Sequence, residues 1–132
     1  MADERNEPCY NPRILRVHKL TPGPIGQGTR FRAETTTMGR AAGIAIRYTA
    51  YQRPRRLGSS IRMSAADIQG TLTFDPIDGG TRMGWLWDLR LRGWYRLLTP
   101  VIARSGQRLE QATWASLKQY LEGQRDRVPQ PR

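Results

Sequence analysis

Apolar and polar residues alternate at every second position over most of the first two-thirds of the chain. After Gly28, Phe31 and Ala33 alternate with Arg30 and Glu34, which is the period of a β-strand with one dry face. Similar apolar runs come before and after this segment. Together they predict five successive strands, the other four lying at residues 14–20, 44–49, 57–63 and 68–74.

Residues 75–80 carry the clearest hairpin turn in the sequence. They end in Asp78, Gly79 and Gly80, and glycine adopts positive φ without steric cost between two alternating runs. The run that follows predicts a sixth strand, with Trp85 and Trp87 on the same face.

Beyond Gly93 the apolar period changes to three and four residues and continues to Leu121. This change predicts one long amphipathic helix. Pro100 lacks a backbone N–H and is expected to kink the helix or divide its first turns from the rest, with Ser105 and Gly106 as a second weak point. We predict one domain over residues 1–123, and a disordered basic tail over residues 124–132, which have no apolar face.

Strands in unbroken succession followed by one helix favour an α+β fold over alternating βαβ units. The predicted architecture is a curved antiparallel sheet of about six strands that grips a long, kinked C-terminal helix. A single helix cannot flatten a broad sheet, so the sheet must curl around it. The space left between them is a common place for a small-molecule site.

The net charge is +11, from 22 basic and 11 acidic residues. Only Lys19 and Lys118 are lysines, which leaves 22 − 2 = 20 arginines, spread from Arg5 to Arg132. A footprint for phosphate should instead form a cluster or stripe. The distribution therefore favours solvated strand faces, with no specific nucleic-acid partner expected, and a basic module for nucleic acid or a membrane surface remains the third functional alternative.

Few residues are available for metal or redox chemistry. Cys9 is the only cysteine, so an intrachain disulfide or a zinc–thiolate cluster cannot form. His18 is the only histidine, and a lone strand histidine is usually structural or solvated. We expect no metal and no cofactor. The first residues lack the apolar stretch of a signal peptide, and no run is long enough to insert into a membrane, so a cytoplasmic location is expected.

Several short motifs occur in an order that resembles the SRPBCC superfamily, and within it the polyketide cyclase/dehydrase-like proteins. These share the helix-grip fold of START domains and pollen allergens. The resemblance covers about residues 3–122 and is specific for the fold rather than for the function. The motifs are GQGTRF (26–31), YQRPRRL (51–57), GTLTF (70–74), GGTRM (79–83) and LKQYLE (117–122).

The chain departs from this family at its beginning. In the family, the segment similar to residues 2–12 follows a first strand and the start of a short helix. A late start codon, a fragment and a true absence of the strand are three open explanations. In the last case the sheet would have an unpaired edge, which favours strand exchange or a homodimer.

The resemblance implies a binding protein for a small hydrophobic molecule, such as a lipid or a polyketide-like metabolite. The ligand would lie in an apolar cavity between the sheet and the C-terminal helix. Each aromatic candidate for the lining can equally be packed core. The candidate cavity residues are Phe31, Tyr48, Met63, Trp85, Trp87, Leu98, Ile102 and Trp114.

The alternative function is a polyketide cyclase or dehydratase, in which the cavity holds reacting carbons close together. No catalytic residue is assigned. A buried acid such as Asp88 could remove a proton from a β-ketone if burial raised its pKa. By alternation, however, Asp88 points away from Trp85 and Trp87, so a surface ion pair with Arg82 or Arg90 is expected.

Overall fold

The computed structural model describes residues 3–37 and 39–125. A 3-10 helix at Glu4–Cys9 comes first, and a second one at Gly93–Leu98 precedes the long helix. The remaining elements are β1 (Ile14–Lys19), β2 (Arg30–Thr37), β3 (Arg40–Gln52), β4 (Arg56–Arg62), β5 (Ala66–Ile77), β6 (Gly80–Leu91) and α1 (Thr99–Arg125).

The six strands form one antiparallel sheet in which each strand pairs with the next along the chain. β1 and β6 are therefore the two edges of this sheet. The long helix follows the last strand. The predicted α+β architecture of six curled strands and a C-terminal helix is confirmed.

The register places one continuous row of side chains across the inner face of the sheet. Tyr48, Ser59, Gly70 and Trp87 are direct partners on β3, β4, β5 and β6. Tyr48 in this row and Phe31 on the same face are fully buried, at 0% exposure. The buried cluster is Ile14, Phe31, Ala33, Ile46, Tyr48, Leu57 and Leu72.

Two glycines have specific roles in this sheet. Gly79 has φ of 75° and occupies the β5–β6 turn, as the hairpin motif predicts. Gly70 leaves space for the Trp87 indole, because a Cβ at this position would lie 1.5 Å from Trp87 Cε3. The ring of Trp87 thus lies directly against the backbone of β5.

Pro100 stands at the second residue of α1, immediately after the second 3-10 helix. The missing N–H is tolerated in a first turn, so the proline stands where the second 3-10 helix gives way to α1, which is one of the two outcomes expected of it. α1 then runs through Ser105 and Gly106 as one assigned helix, and the expected second weak point there stays a prediction. Of the predicted tail, residues 124 and 125 are helical and residues 126–132 lie outside the described part of the chain.

Candidate functional site between the sheet and the helix

Three tryptophans lie between β6 and α1. Trp85 and Trp87 share the inner face of β6, because they are two residues apart on a strand. The Trp85 ring contacts Trp114 of α1, with ring centroids 6.2 Å apart and planes inclined by 47°. Trp87 and Trp114 both pack against the buried cluster. The sheet and the helix therefore meet through aromatic side chains on this side of the molecule.

Two of these indoles have unsatisfied polar groups. Nε1 of Trp87 and Nε1 of Trp114 are buried, and neither has a hydrogen-bond partner among the described residues. A buried N–H without an acceptor costs about 1–3 kcal/mol relative to a hydrogen-bonded one. Such groups are rare in folded proteins and call for an explanation, such as a bound water or ligand.

Glu110 adds an acid to the same region. It lies one helical turn before Trp114, on the same side of α1. Desolvation raises the pKa of the Glu110 carboxyl, while the Arg13 guanidinium and the Trp87 indole oppose that rise. Although the Trp87 N–H makes no hydrogen bond of ordinary geometry, its ring is thus close enough to Glu110 to act on it.

A second buried acid lies at the other end of the inner row. The Tyr48 hydroxyl donates a hydrogen bond to Oε1 of Glu4 at 2.8 Å. Desolvation, and then the charge of Glu7, raise the pKa of the Glu4 carboxyl to about 8, against the opposing effect of the Tyr48 hydrogen bond. The pKa of Tyr48 also rises, because the hydroxyl is desolvated and lies beside Glu4. The raised pKa favours the neutral carboxylic acid of the half-buried Glu4 side chain at pH values where a free glutamate is ionised.

The first 3-10 helix connects this acid to α1. Oε1 of Glu7 accepts a hydrogen bond from Nδ2 of Asn11 at 2.8 Å. The Tyr10 ring contacts Tyr120 of α1, with centroids 6.2 Å apart. Two residues after Asn11, the chain makes a further contact with the helix.

That contact is made by Arg13, whose Nη2 donates to the Thr113 hydroxyl at 3.0 Å. The Thr113 hydroxyl in turn donates to the carbonyl oxygen of Leu109 at 3.0 Å. Arg13 thus places a positive charge beside the turn of α1 that carries Glu110. This positive charge favours the ionised carboxylate of Glu110 and so lowers its pKa, against the effect of desolvation.

The structure separates the eight predicted cavity residues into groups. Trp85, Trp87 and Trp114 come together between β6 and α1, as described above. Phe31 and Tyr48 belong to the packed cluster. Ile102 is half-buried on α1, and Leu98 remains exposed at the end of the second 3-10 helix. Met63 is instead part of a separate depression at one end of the sheet.

Two open depressions lie on the sheet. One, of about 260 Å³, includes Thr71, Leu86 and Asp88, which alternate with the inner-face residues and so belong to the outer face. The other, of about 310 Å³, includes Met63 and Arg92. No residue of α1 lines either depression. A cavity between the sheet and the helix therefore stays a prediction.

The surface acids behave as the alternation of the strands predicts. Asp88 Oδ2 lies 3.4 Å from Nε of Arg90 on the outer face of β6, which confirms the expected ion pair. Asp67 forms ion pairs with Arg92 and Arg62 that are likewise exposed.

Within residues 3–37 and 39–125, no three His, Cys, Asp or Glu residues are grouped so that they could hold a metal ion. No helix in that part of the chain is long and apolar enough to cross a membrane.

Sequence reasoning missed several partly buried or exposed polar residues of this site. A signal was available for Glu110, which interrupts the apolar stripe of α1 four residues before Trp114. No comparable signal marked Glu4, because its burial depends on how the first 3-10 helix lies against Tyr48. The missed residues are Glu4, Glu7, Tyr10, Arg13 and Glu110.

Comparison with known proteins agrees with the fold. A family model described as "Polyketide cyclase / dehydrase and lipid transport" matches residues 1–122. The crystal structure of Ara h 8.0201 superimposes with a TM-score of 0.61 at 15% identity, covering 89% of this chain and 82% of that one. A protein from Rhodobacter sphaeroides also gives a TM-score of 0.61, at 21% identity, covering 84% of this chain and 72% of that one. No functionally curated protein matches the sequence.

Proposed function

Because the chain belongs to the polyketide cyclase/dehydrase and lipid transport family of the SRPBCC superfamily, we propose that it binds a small hydrophobic or amphipathic molecule between its sheet and α1. The apolar part of the ligand would lie against Trp85, Trp87 and Trp114. An oxygen of the ligand would accept hydrogen bonds from the indole N–H groups of Trp87 and Trp114.

The buried indole N–H groups of Trp87 and Trp114 are the observation that carries this proposal. Neither buried donor makes a hydrogen bond of ordinary geometry within the described residues, and Trp114 lies against Trp85. A ligand with a carbonyl or ether oxygen would supply what the protein lacks there. A pure hydrocarbon would not, so the proposal favours ligands with one polar end.

Burial of the ligand would supply most of the binding free energy. Removing about 200 Å² of apolar surface from water gains roughly 5 kcal/mol at about 25 cal/mol per Å². The loss of translational and rotational freedom on binding offsets part of this gain. Aromatic side chains suit such a ligand because they bring a large apolar area with few rotatable bonds.

The test is a thermal melting series with fatty acids, sterols, flavonoids and aromatic polyketides, read together with tryptophan fluorescence. We expect a saturable rise in Tm with quenching for an oxygen-bearing compound. Trp87→Phe and Trp114→Phe keep an aromatic ring but remove the donor, so each should weaken binding by about tenfold or more, the loss expected when one buried hydrogen bond is removed. Trp94→Phe is the matched control, because Trp94 is an exposed indole of the second 3-10 helix.

Equal affinity in all three variants would show that the indole donors do not bind the ligand. A cooperatively melting protein that responds to no compound in the series would contradict the proposal as a whole.

An acid–base enzyme of the cyclase or dehydratase class is the second candidate function. The observation that favours it is the Glu4–Tyr48 pair, in which a carboxyl with a pKa raised to about 8 touches a buried hydroxyl. A group whose pKa is near the working pH can donate and accept protons efficiently. Ligand consumption separates the two functions, because an enzyme converts the ligand that a binding protein returns unchanged. Glu4→Gln should abolish turnover and leave the Tm shift in place.

Homodimerisation and a cytoplasmic location remain part of the proposal. β6 pairs only with β5 in the described sheet, and an open strand edge is a natural place for a second chain to pair. Light scattering across a range of protein concentrations tests this, and a monomer throughout would contradict it.

A further inference from the structure

Three large apolar side chains are exposed where the chain passes from β6 into α1. The exposed fractions are 63% for Trp94, 85% for Leu97 and 65% for Val101. We refer to these three residues as the apolar tip. Single exposed apolar residues are ordinary on soluble proteins, but several within one short segment indicate a surface that contacts another apolar phase.

Local geometry groups these residues. Trp94 and Leu97 are three residues apart in the second 3-10 helix, so they lie on the same side of it. Val101 follows four residues after Leu97, in the first turn of α1. The Trp94 ring stacks on Tyr95 with centroids 4.2 Å apart, which holds the indole in place at the surface.

Positive charge flanks the apolar tip along the chain. Residues 89–109 contain five arginines and no acidic residue. Arg92 is paired with Asp67. Arg90 is paired with Asp88. The remaining three arginines are exposed and form no ion pair within the described residues: Arg96, Arg104 and Arg108.

We infer that the apolar tip docks on an anionic membrane surface. Trp94, Leu97 and Val101 would enter the boundary between the headgroups and the acyl chains, while the arginines contact lipid phosphates and carboxylates. Tryptophan, leucine and arginine in this arrangement are typical of segments that lie in a membrane interface. This inference does not depend on the proposed ligand site, because no residue of that site belongs to the apolar tip.

Two other partners suit this surface less well. A nucleic acid would use the arginines, but its phosphate backbone would leave Leu97 and Val101 without an apolar contact. A second copy of the chain in a two-fold dimer would bring the same arginines against each other. An anionic bilayer is complementary to both the apolar and the charged residues.

The test is cosedimentation of the full chain with vesicles of phosphatidylcholine and phosphatidylserine in a 70:30 ratio, and with vesicles of phosphatidylcholine alone. We expect clear preference for the anionic vesicles. Leu97→Gln should lower the partition coefficient by about tenfold through lost apolar burial. Arg104→Gln should lower it by about fivefold through lost charge.

Leu86→Gln is the matched control, since Leu86 is 77% exposed on the outer face of β6, and should leave the partition coefficient unchanged. Each variant removes an exposed side chain, and cooperative melting at the wild-type Tm verifies its fold. Equal loss in the Leu86 and Leu97 variants would overturn the inference, as would no binding to anionic vesicles at low salt. A wild-type dimer that Leu97→Gln converts to a monomer would overturn it in favour of self-association. Binding to duplex DNA that exceeds vesicle binding and survives Leu97→Gln would overturn it in favour of a nucleic acid.

Discussion

The two halves of the inner face are packed very differently. In the half formed by β2, β3 and β4, Phe31 and Tyr48 are completely buried and their rings touch, with centroids 5.3 Å apart. In the half formed by β6 and α1, Trp85 is 38% exposed, and two buried indole N–H groups make no hydrogen bond of ordinary geometry within the described residues. The β2–β4 half is therefore packed as a hydrophobic core, whereas the β6–α1 half is partly solvated and has unpaired polar groups.

This difference separates the part of the molecule that stabilises the fold from the part available for binding. A core gains stability by filling space with apolar atoms and leaving no polar group unpaired. The β6–α1 half meets neither condition, although it holds three of the four tryptophans. Variants on the two halves test this difference in packing, beginning with the largest expected effect.

Phe31→Ala should cause the largest loss of stability. The ring is fully buried, and replacing such a phenylalanine by alanine typically lowers the free energy of unfolding by about 3–5 kcal/mol. Trp85→Ala is the matched variant on the other half, and it should cost clearly less because the indole is partly solvated already. Urea denaturation of both variants measures the difference. Equal losses would mean that the β6–α1 half is packed as well as the rest.

Glu4→Gln should make stability less dependent on pH. In the folded chain the Glu4 carboxyl has a pKa raised from its usual 4.5 to about 8, so the folded state holds its proton more tightly than the unfolded state. The free energy of unfolding therefore falls as pH rises from about 4.5 to 8. Glutamine resembles the neutral acid and can keep accepting the Tyr48 hydrogen bond.

The Glu4→Gln variant should accordingly match the wild type near pH 5 and exceed its stability at pH 9 by roughly 2–4 kcal/mol. Denaturation at a series of pH values measures this difference. Glu34→Gln is the control for the loss of one glutamate charge, on the outer face of β2 where Glu34 forms a surface ion pair with Arg16. A wild-type stability that increases between pH 5 and pH 8 would contradict the buried environment assigned to Glu4.

Gly70→Ala should disturb the tight contact between the backbone of β5 and the Trp87 ring. A Cβ at residue 70 would lie 1.5 Å from Cε3 and 1.8 Å from Cζ3 of Trp87, so the indole must move. Overpacking of this kind usually costs about 1–3 kcal/mol. Gly80→Ala is the control, because nothing lies within 4 Å of the added methyl there. Denaturation measures the stability, and tryptophan fluorescence reports the displaced ring.

A Gly70→Ala variant as stable as the Gly80→Ala variant would show that Trp87 is free to swing away from the sheet. In that case the β6–α1 half would be looser than the register of its strands indicates, and the contrast between the two halves would be sharper still.

The sequence was sufficient to predict the strands, the β5–β6 hairpin and the long helix. These depend on local alternation, on glycine at positive φ and on helical periodicity, all of which are visible in the chain. The position of Pro100 was also informative, because the boundary between the second 3-10 helix and α1 lies next to it. The aromatic residues of β6 were correctly placed on one face, because strand alternation leaves no other arrangement.

The polar contacts of the site could not be predicted in the same way. Glu4 becomes an unusual acid only because the first 3-10 helix brings it to Tyr48, 44 residues later in the chain. Arg13 meets Thr113 across 100 residues. Such contacts depend on how separate elements dock, and no short-range pattern encodes that. The lack of a hydrogen bond at Nε1 of Trp87 and of Trp114 is likewise visible only in the folded structure.

Gly106→Ala should give the smallest change in the free energy of unfolding. The sign of this change tests whether there is space between α1 and the sheet. Gly106 is half-buried on the same side of the helix as Glu110 and Thr113, yet no atom lies within 4 Å of a Cβ built there. Alanine favours a helix interior over glycine by about 0.5–1 kcal/mol, so the variant should be more stable than the wild type by that amount in urea denaturation. Gly123→Ala, close to the end of the same helix, has equal space and should stabilise less because helix ends fray. A Gly106→Ala variant that is less stable than the wild type would mean that the sheet closes on α1 at this turn, leaving no room there for a ligand.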